Sequence, residues 1–97
     1  MDNLHQLSVF LQRVMTDVQL RACHVSLYAV LCQTWINSGC KKTFTISRSR
    51  VMKLARINSP STYHKVLRQL IKCGYILYHP SYHPVKGSEV SLLEPTI

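Results

Sequence analysis

Residues 46–74, ISRSRVMKLARINSPSTYHKVLRQLIKCG, read as two short helices joined by a tight turn, and the rest of the chain is organised around them. Ser59 is a good N-cap because its hydroxyl can accept from the free amides of the first turn, and Pro60 follows where no amide hydrogen is missed. Past the cap, Tyr63, Val66, Leu67, Leu70 and Ile71 recur at helical steps and form an apolar stripe. Thr62, His64, Lys65, Arg68, Gln69 and Lys72 fall outside it. Gly74 ends the helix, since glycine takes the left-handed conformation cheaply. The preceding helix has Ser47 as its expected cap, with Val51, Leu54 and Met52 facing inward and Arg48, Arg50, Lys53 and Arg56 outward. Arg56-Ile57-Asn58 makes the turn, with Ile57 as its buried plug. Two helices joined so closely cross steeply, and a polar, basic second helix suits the major groove of DNA.

Working outward towards the start, Leu4, Leu7, Leu11, Val14 and Val18 follow a 3-4-3-4 spacing, with Phe10 and Met15 widening the stripe. This predicts one amphipathic helix from Asn3 to about Val18, which either covers the core or pairs with its copy in a homodimer. A second helix is expected over residues 22–38, with Val25, Tyr28, Leu31, Cys32, Trp35 and Ile36 inside and Gly39 closing it. His24, alone near its start, reads as a capping or packing group. After the basic loop Cys40-Lys41-Lys42, Thr43–Ile46 alternates polar and apolar as a short strand does. Towards the end, Tyr75–His79 and Glu89–Leu93 read as two further strands, separated by Pro80, Pro84 and Gly87, which bend a chain and suit an exposed hairpin end.

The 97 residues read as a single domain, 1–97, with an N-terminal helical part (1–20) and a core (21–93). The expected fold class is mainly α with a small β-hairpin. Twelve Lys and Arg against four Asp and Glu give a formal net charge of +8, which favours encounter with polyanions. Nucleic acid fits better than an anionic membrane. The cations are not gathered opposite a bare apolar face, and no apolar run approaches spanning length. The start, MDNLHQLSVF, lacks the basic region of a secretory signal, so a cytoplasmic protein is expected. Cys23, Cys32, Cys40 and Cys73 show no CxxC spacing and read as reduced, mostly buried small hydrophobes.

The order helix, helix, strand, helix, turn, helix, hairpin resembles a winged helix-turn-helix of the MarR-like class of bacterial regulators, with an extra N-terminal amphipathic helix. The stretch that carries the likeness is Ser61-Thr62-Tyr63-His64-Lys65-Val66-Leu67-Arg68-Gln69-Leu70 followed by Gly74-Tyr75-Ile76, and the fold-level resemblance spans roughly residues 22–93. The segment from Tyr78 to Ser88 and the helix Cys23-His24-Val25-Ser26-Leu27-Tyr28 also look like those of small winged-helix proteins of bacterial mobile elements. The resemblance implies DNA contact by Ser61, Thr62, His64, Lys65 and Arg68 on the recognition helix, with Lys86 on the wing. No long helix follows the wing, so the dimer interface and ligand cavity of full-length relatives do not carry over.

Each of these groups has a physical task available. Ser59, Ser61 and Thr62 lie at a helix N-terminus, where the dipole attracts phosphate. Lys65 or Arg68 can reach guanine O6 and N7, and His64 and Gln69 can read a base edge or sit at the rim. Lys41, Lys42, Arg48, Arg50 and Lys53 suit phosphates, which give affinity without sequence information. His83 and Lys86 put titratable and positive groups on the wing. Cys73, His79 and His83 lack the paired spacing of a zinc site, and Asp2, Asp17, Glu89 and Glu94 lie outside the basic region, so neither metal, cofactor nor catalysis is expected. The expected partner is double-stranded DNA, with no small-molecule ligand, and the expected role is transcriptional regulation. The alternatives are an architectural factor for excision or replication of a mobile element, and a protein-interaction module.

Overall fold

In the computed structural model, which describes residues 3–79 and 87–93, the chain runs α1 (Asn3–Thr16), α2 (Ala22–Asn37), β1 (Phe44–Ile46), α3 (Arg48–Ala55), α4 (Pro60–Lys72), β2 (Ile76–His79) and β3 (Ser88–Leu92). The architecture is mainly helical with a small antiparallel sheet. No helix among the described residues is long and apolar enough to cross a membrane.

The centre of the molecule is α2, which packs against α1, α3, α4, β1 and β3. A helix enclosed on so many sides buries more than one stripe, and Leu27 joins Tyr28, Leu31, Cys32 and Trp35 in the core. Burial pushes the Cys32 thiol up to about 12, so this group packs and does not react. Cys23 and Cys40 are half-buried, however, and Cys73 is exposed at the end of α4, so only one of the four cysteines is fully enclosed. Val25 is half-buried and Ile36 is 39% exposed, because α2 closes just beyond it. Gly39, at φ +84°, donates its amide to the Ile36 carbonyl there.

The sheet has the order β1-β3-β2, so the strand between α2 and α3 joins the hairpin through its last strand. Phe44 pairs with Val90 and Ile46 with Ser88 on one side of β3, while Ile76 pairs with Leu92 and Tyr78 with Val90 on the other. Phe44, Ile46, Ile76 and Val90 are buried, and Thr43 and Ser91 join hydroxyls at 3.0 Å. The three strands lie within a residue of where the sequence pattern puts them, but they form one sheet and not a hairpin alone. Pairing across more than forty residues has no local signature. Gly87, at φ +72°, brings the end of the hairpin against β1, and a Cβ there would lie 2.6 Å from the Ile46 carbonyl oxygen.

The N-terminal helix is shorter than its periodicity suggested. The Thr16 hydroxyl turns back to the Gln12 carbonyl, and Asp17 accepts from the Gln19 amide in a side-chain-closed turn. Val18 therefore leaves the helix and is 98% exposed. The expected pairing stripe is not one outward face: Val14 is buried in the chain's own core beside Phe10, which meets Trp35 edge to face, and Leu7 and Leu11 pack against that core. Further along, the Tyr75 hydroxyl donates to the Asp17 carboxylate at 2.6 Å, and Arg13 lies over the Tyr75 ring while donating to the Leu93 carbonyl. These contacts fasten α1 to the start of β2 and the end of β3.

The two helices of the opening stretch form as expected, with α3 turned slightly. Val51 and Ala55 face the core, Met52 is half-buried, and Leu54, expected inside, is 54% exposed. The small Ala55 lets α3 approach α2 closely, where the Ser26 hydroxyl donates to the Ala55 carbonyl at 2.7 Å and satisfies an orphan acceptor at the helix end. Arg56 takes the left-handed conformation, φ 59°, and Ile57 is buried at 6% exposure as the plug of the turn. Ser47 does precede α3, yet its hydroxyl bonds the Ser49 hydroxyl instead of a helix amide.

Candidate nucleic-acid interface

The local chemistry of α4 sets both where it begins and how it is turned. The Ser59 hydroxyl accepts from the Thr62 amide at 3.4 Å and also meets the Ser61 hydroxyl at 2.9 Å, with Pro60 opening the helix. Tyr63, Val66, Leu67 and Leu70 are buried, each worth about 1.5–3 kcal/mol relative to exposure. Ile71, expected on this stripe, is 36% exposed, because the stripe closes at Leu70 while the last turn runs past the core. Burial also pushes the Tyr63 phenol up to about 12, and its ring edge meets His64 at 5.4 Å.

With the apolar side fixed inward, the opposite side is presented outward. Ser61, Thr62, His64, Lys65, Arg68 and Lys72 are exposed. Ser61, His64, Lys65, Arg68, Gln69 and Lys72 line one shallow groove along the helix. Lys72 falls off the apolar stripe and joins this groove, although it is not among the contacts expected from the sequence.

Arg48 and Arg50 belong to a second groove, shared with Ser47 and Ser49, the last turn of α2, β1 and Gly87. Arg48 also lies close enough to Tyr63 to favour its ionised form, which puts the start of α3 near the start of α4. Lys53 is exposed on α3, and Lys41 and Lys42 are exposed in the loop before β1. That loop leaves α2 through left-handed Gly39 and Cys40. His83 and Lys86 lie outside the described residues. Among the described residues no group of three or more His, Cys, Asp or Glu is placed to hold a metal ion.

Gln69 stands apart from the other five groove residues because its side chain is held. It is half-buried, and its carbonyl oxygen meets Nε2 of His24, a residue only 5% exposed at the start of α2. The other ring nitrogen, Nδ1, accepts from the Arg21 backbone amide at 3.1 Å. The capping role expected for His24 is therefore present, together with a contact to α4 that no sequence spacing announces. Comparison with protein-family models, with curated proteins and with solved structures finds no match.

Proposed function

We propose that this chain is a winged helix-turn-helix protein that binds double-stranded DNA. In this reading α4 enters the major groove and the paired strands β2 and β3 lie alongside as the wing. More particularly, it is a transcriptional regulator, acting in the cytoplasm, whose α4 reads a defined sequence. The observation that carries the reading is the division of α4 into a sealed apolar side and an open side bearing Lys65, Arg68 and Lys72 with Ser61 and His64. An α-helix fits the major groove, and these side chains supply both phosphate and base-edge donors. The sheet that follows α4, and Arg48 and Arg50 at the start of the preceding helix, support the same orientation.

Two copies on a palindromic site would extend this reading, as two-fold homo-oligomers commonly do. With Val14 taken into the core and Leu11 packed against it, such pairing through α1 would use its exposed Leu4 and Met15.

The test is selection of bound duplexes from a randomised pool, followed by affinity measurement on the recovered sequence. A consensus is expected, and Lys65→Ala should weaken binding by about 1–3 kcal/mol with relaxed preference at one base pair. Equal loss on all sequences would assign Lys65 to a phosphate. Recovery of no consensus, with micromolar or weaker binding even at low salt, would refute the reading and favour a protein partner.

A further inference from the structure

We propose that His24, which faces the inner flank of α4 and not the duplex, sets what Gln69 can read, limiting it to donating hydrogen bonds. The inference rests on the DNA reading above and adds a positioning residue to it. The neighbours of the imidazole place its proton. Nδ1 lies 3.1 Å from the Arg21 backbone nitrogen, which can only donate, so Nδ1 is the lone-pair nitrogen and a neutral ring carries its hydrogen on Nε2. Nε2 in turn faces Gln69, and a donor there requires the glutamine to offer its carbonyl oxygen. Turning the amide over would set N–H against N–H beside a ring that is only 5% exposed.

A glutamine free to rotate recognises adenine through two bonds, accepting from N6 with its oxygen and donating to N7 with its nitrogen. Here His24, only 5% exposed, draws the oxygen inward, so although the oxygen keeps a second lone pair it is the NH2 group, a donor, that is turned to the groove shared with Lys65 and Arg68. The base edges that accept without offering a donor are guanine, through O6 and N7, and thymine, through O4. Gln69 therefore favours guanine or thymine over adenine at the position it meets, and His24 imposes that choice without touching the duplex.

Two measurements on the full chain decide this. The first is nitrogen NMR of the His24 ring in the free protein, which is expected to show the hydrogen on Nε2; a ring protonated on Nδ1 overturns the proposal. The second is duplex selection with the wild type, Gln69→Ala, His24→Phe and His24→Gln. The wild type should prefer guanine or thymine over adenine by about tenfold at one base pair, a preference that Gln69→Ala abolishes there and nowhere else. His24→Phe fills the space but removes the donor, so the freed amide should shift that position towards adenine. His24→Gln restores an N–H donor and with it the wild-type preference. A clear consensus that neither Gln69→Ala nor the His24 variants alter overturns this inference alone. Failure of the wild type to yield any consensus refutes the DNA reading and this assignment with it.

Discussion

Removing the two arginines at the start of α3 should change how DNA binding responds to salt more than it changes which sequence is bound. Arg48 and Arg50 line the groove beside α2 and β1, while Lys65, Arg68 and Lys72 line the groove along α4. Each phosphate neutralised on B-DNA releases condensed counterions and contributes about 0.9 to the slope of log affinity against log salt. With Lys65 on a base edge, Arg48, Arg50, Arg68 and Lys72 make four phosphate contacts and give a slope of about 3.6. At that slope a rise from about 50 to 200 mM salt weakens binding by about 150-fold. The double variant Arg48→Gln, Arg50→Gln leaves two contacts, a slope of about 1.8 and a loss of about 12-fold over the same step. Both side chains are exposed, so stability should stay within about 0.5 kcal/mol, which a melting curve checks. The assay is fluorescence anisotropy on a labelled duplex over a series of salt concentrations, with the selected site and a scrambled site run in parallel. Slopes that coincide for the two proteins would show that Arg48 and Arg50 do not meet phosphate. A wild-type slope below about 1 would refute the account of the whole basic surface.

Three further outcomes test the fold that carries this surface. Gly87→Ala puts a Cβ 2.6 Å from the Ile46 carbonyl oxygen at a left-handed φ, and should cost about 2 kcal/mol by urea denaturation; an unchanged midpoint would mean that the hairpin does not approach β1 so closely. Among the described residues the Tyr28 hydroxyl is buried without a hydrogen-bond partner while its ring packs on Tyr75, so Tyr28→Phe should raise stability by about 1 kcal/mol, seen as a higher melting temperature. A lower melting temperature would show that the hydroxyl makes a bond in solution. The Tyr75 hydrogen bond, and after it the Gln19 amide, hold the Asp17 carboxyl below its ordinary value of 3.8. A carboxylate depressed in the folded state stabilises above its unfolded pKa, and the contribution is lost as the pH falls through the folded value. Wild type should therefore lose stability below about pH 4 more steeply than Asp17→Asn, as urea midpoints at several pH values would report. Parallel curves would place the acid sensitivity elsewhere.

The sequence by itself determined the parts governed by neighbours along the chain. Ser59 and Pro60 start α4, the Tyr63, Val66, Leu67 and Leu70 spacing chooses its buried side, and Phe44 and Ile46 alternate as a strand must. Because a helix with one sealed side can only present the other, the exposed polar and basic residues of α4 followed from the same pattern. Tertiary structure decided whatever depends on two segments distant in sequence. It enclosed α2 on several sides, so that Leu27 became core, and it joined β1 to β3. It drew Val14 into the chain's own interior, where the heptad spacing allowed a partner just as well, since an apolar stripe specifies burial but not what buries it. It also set His24 against Gln69, forty-five positions away. Hydrogen-bond complementarity between side chains has no period, so only the packing of α2 on α4 reveals that one of the groove residues is already spoken for from within.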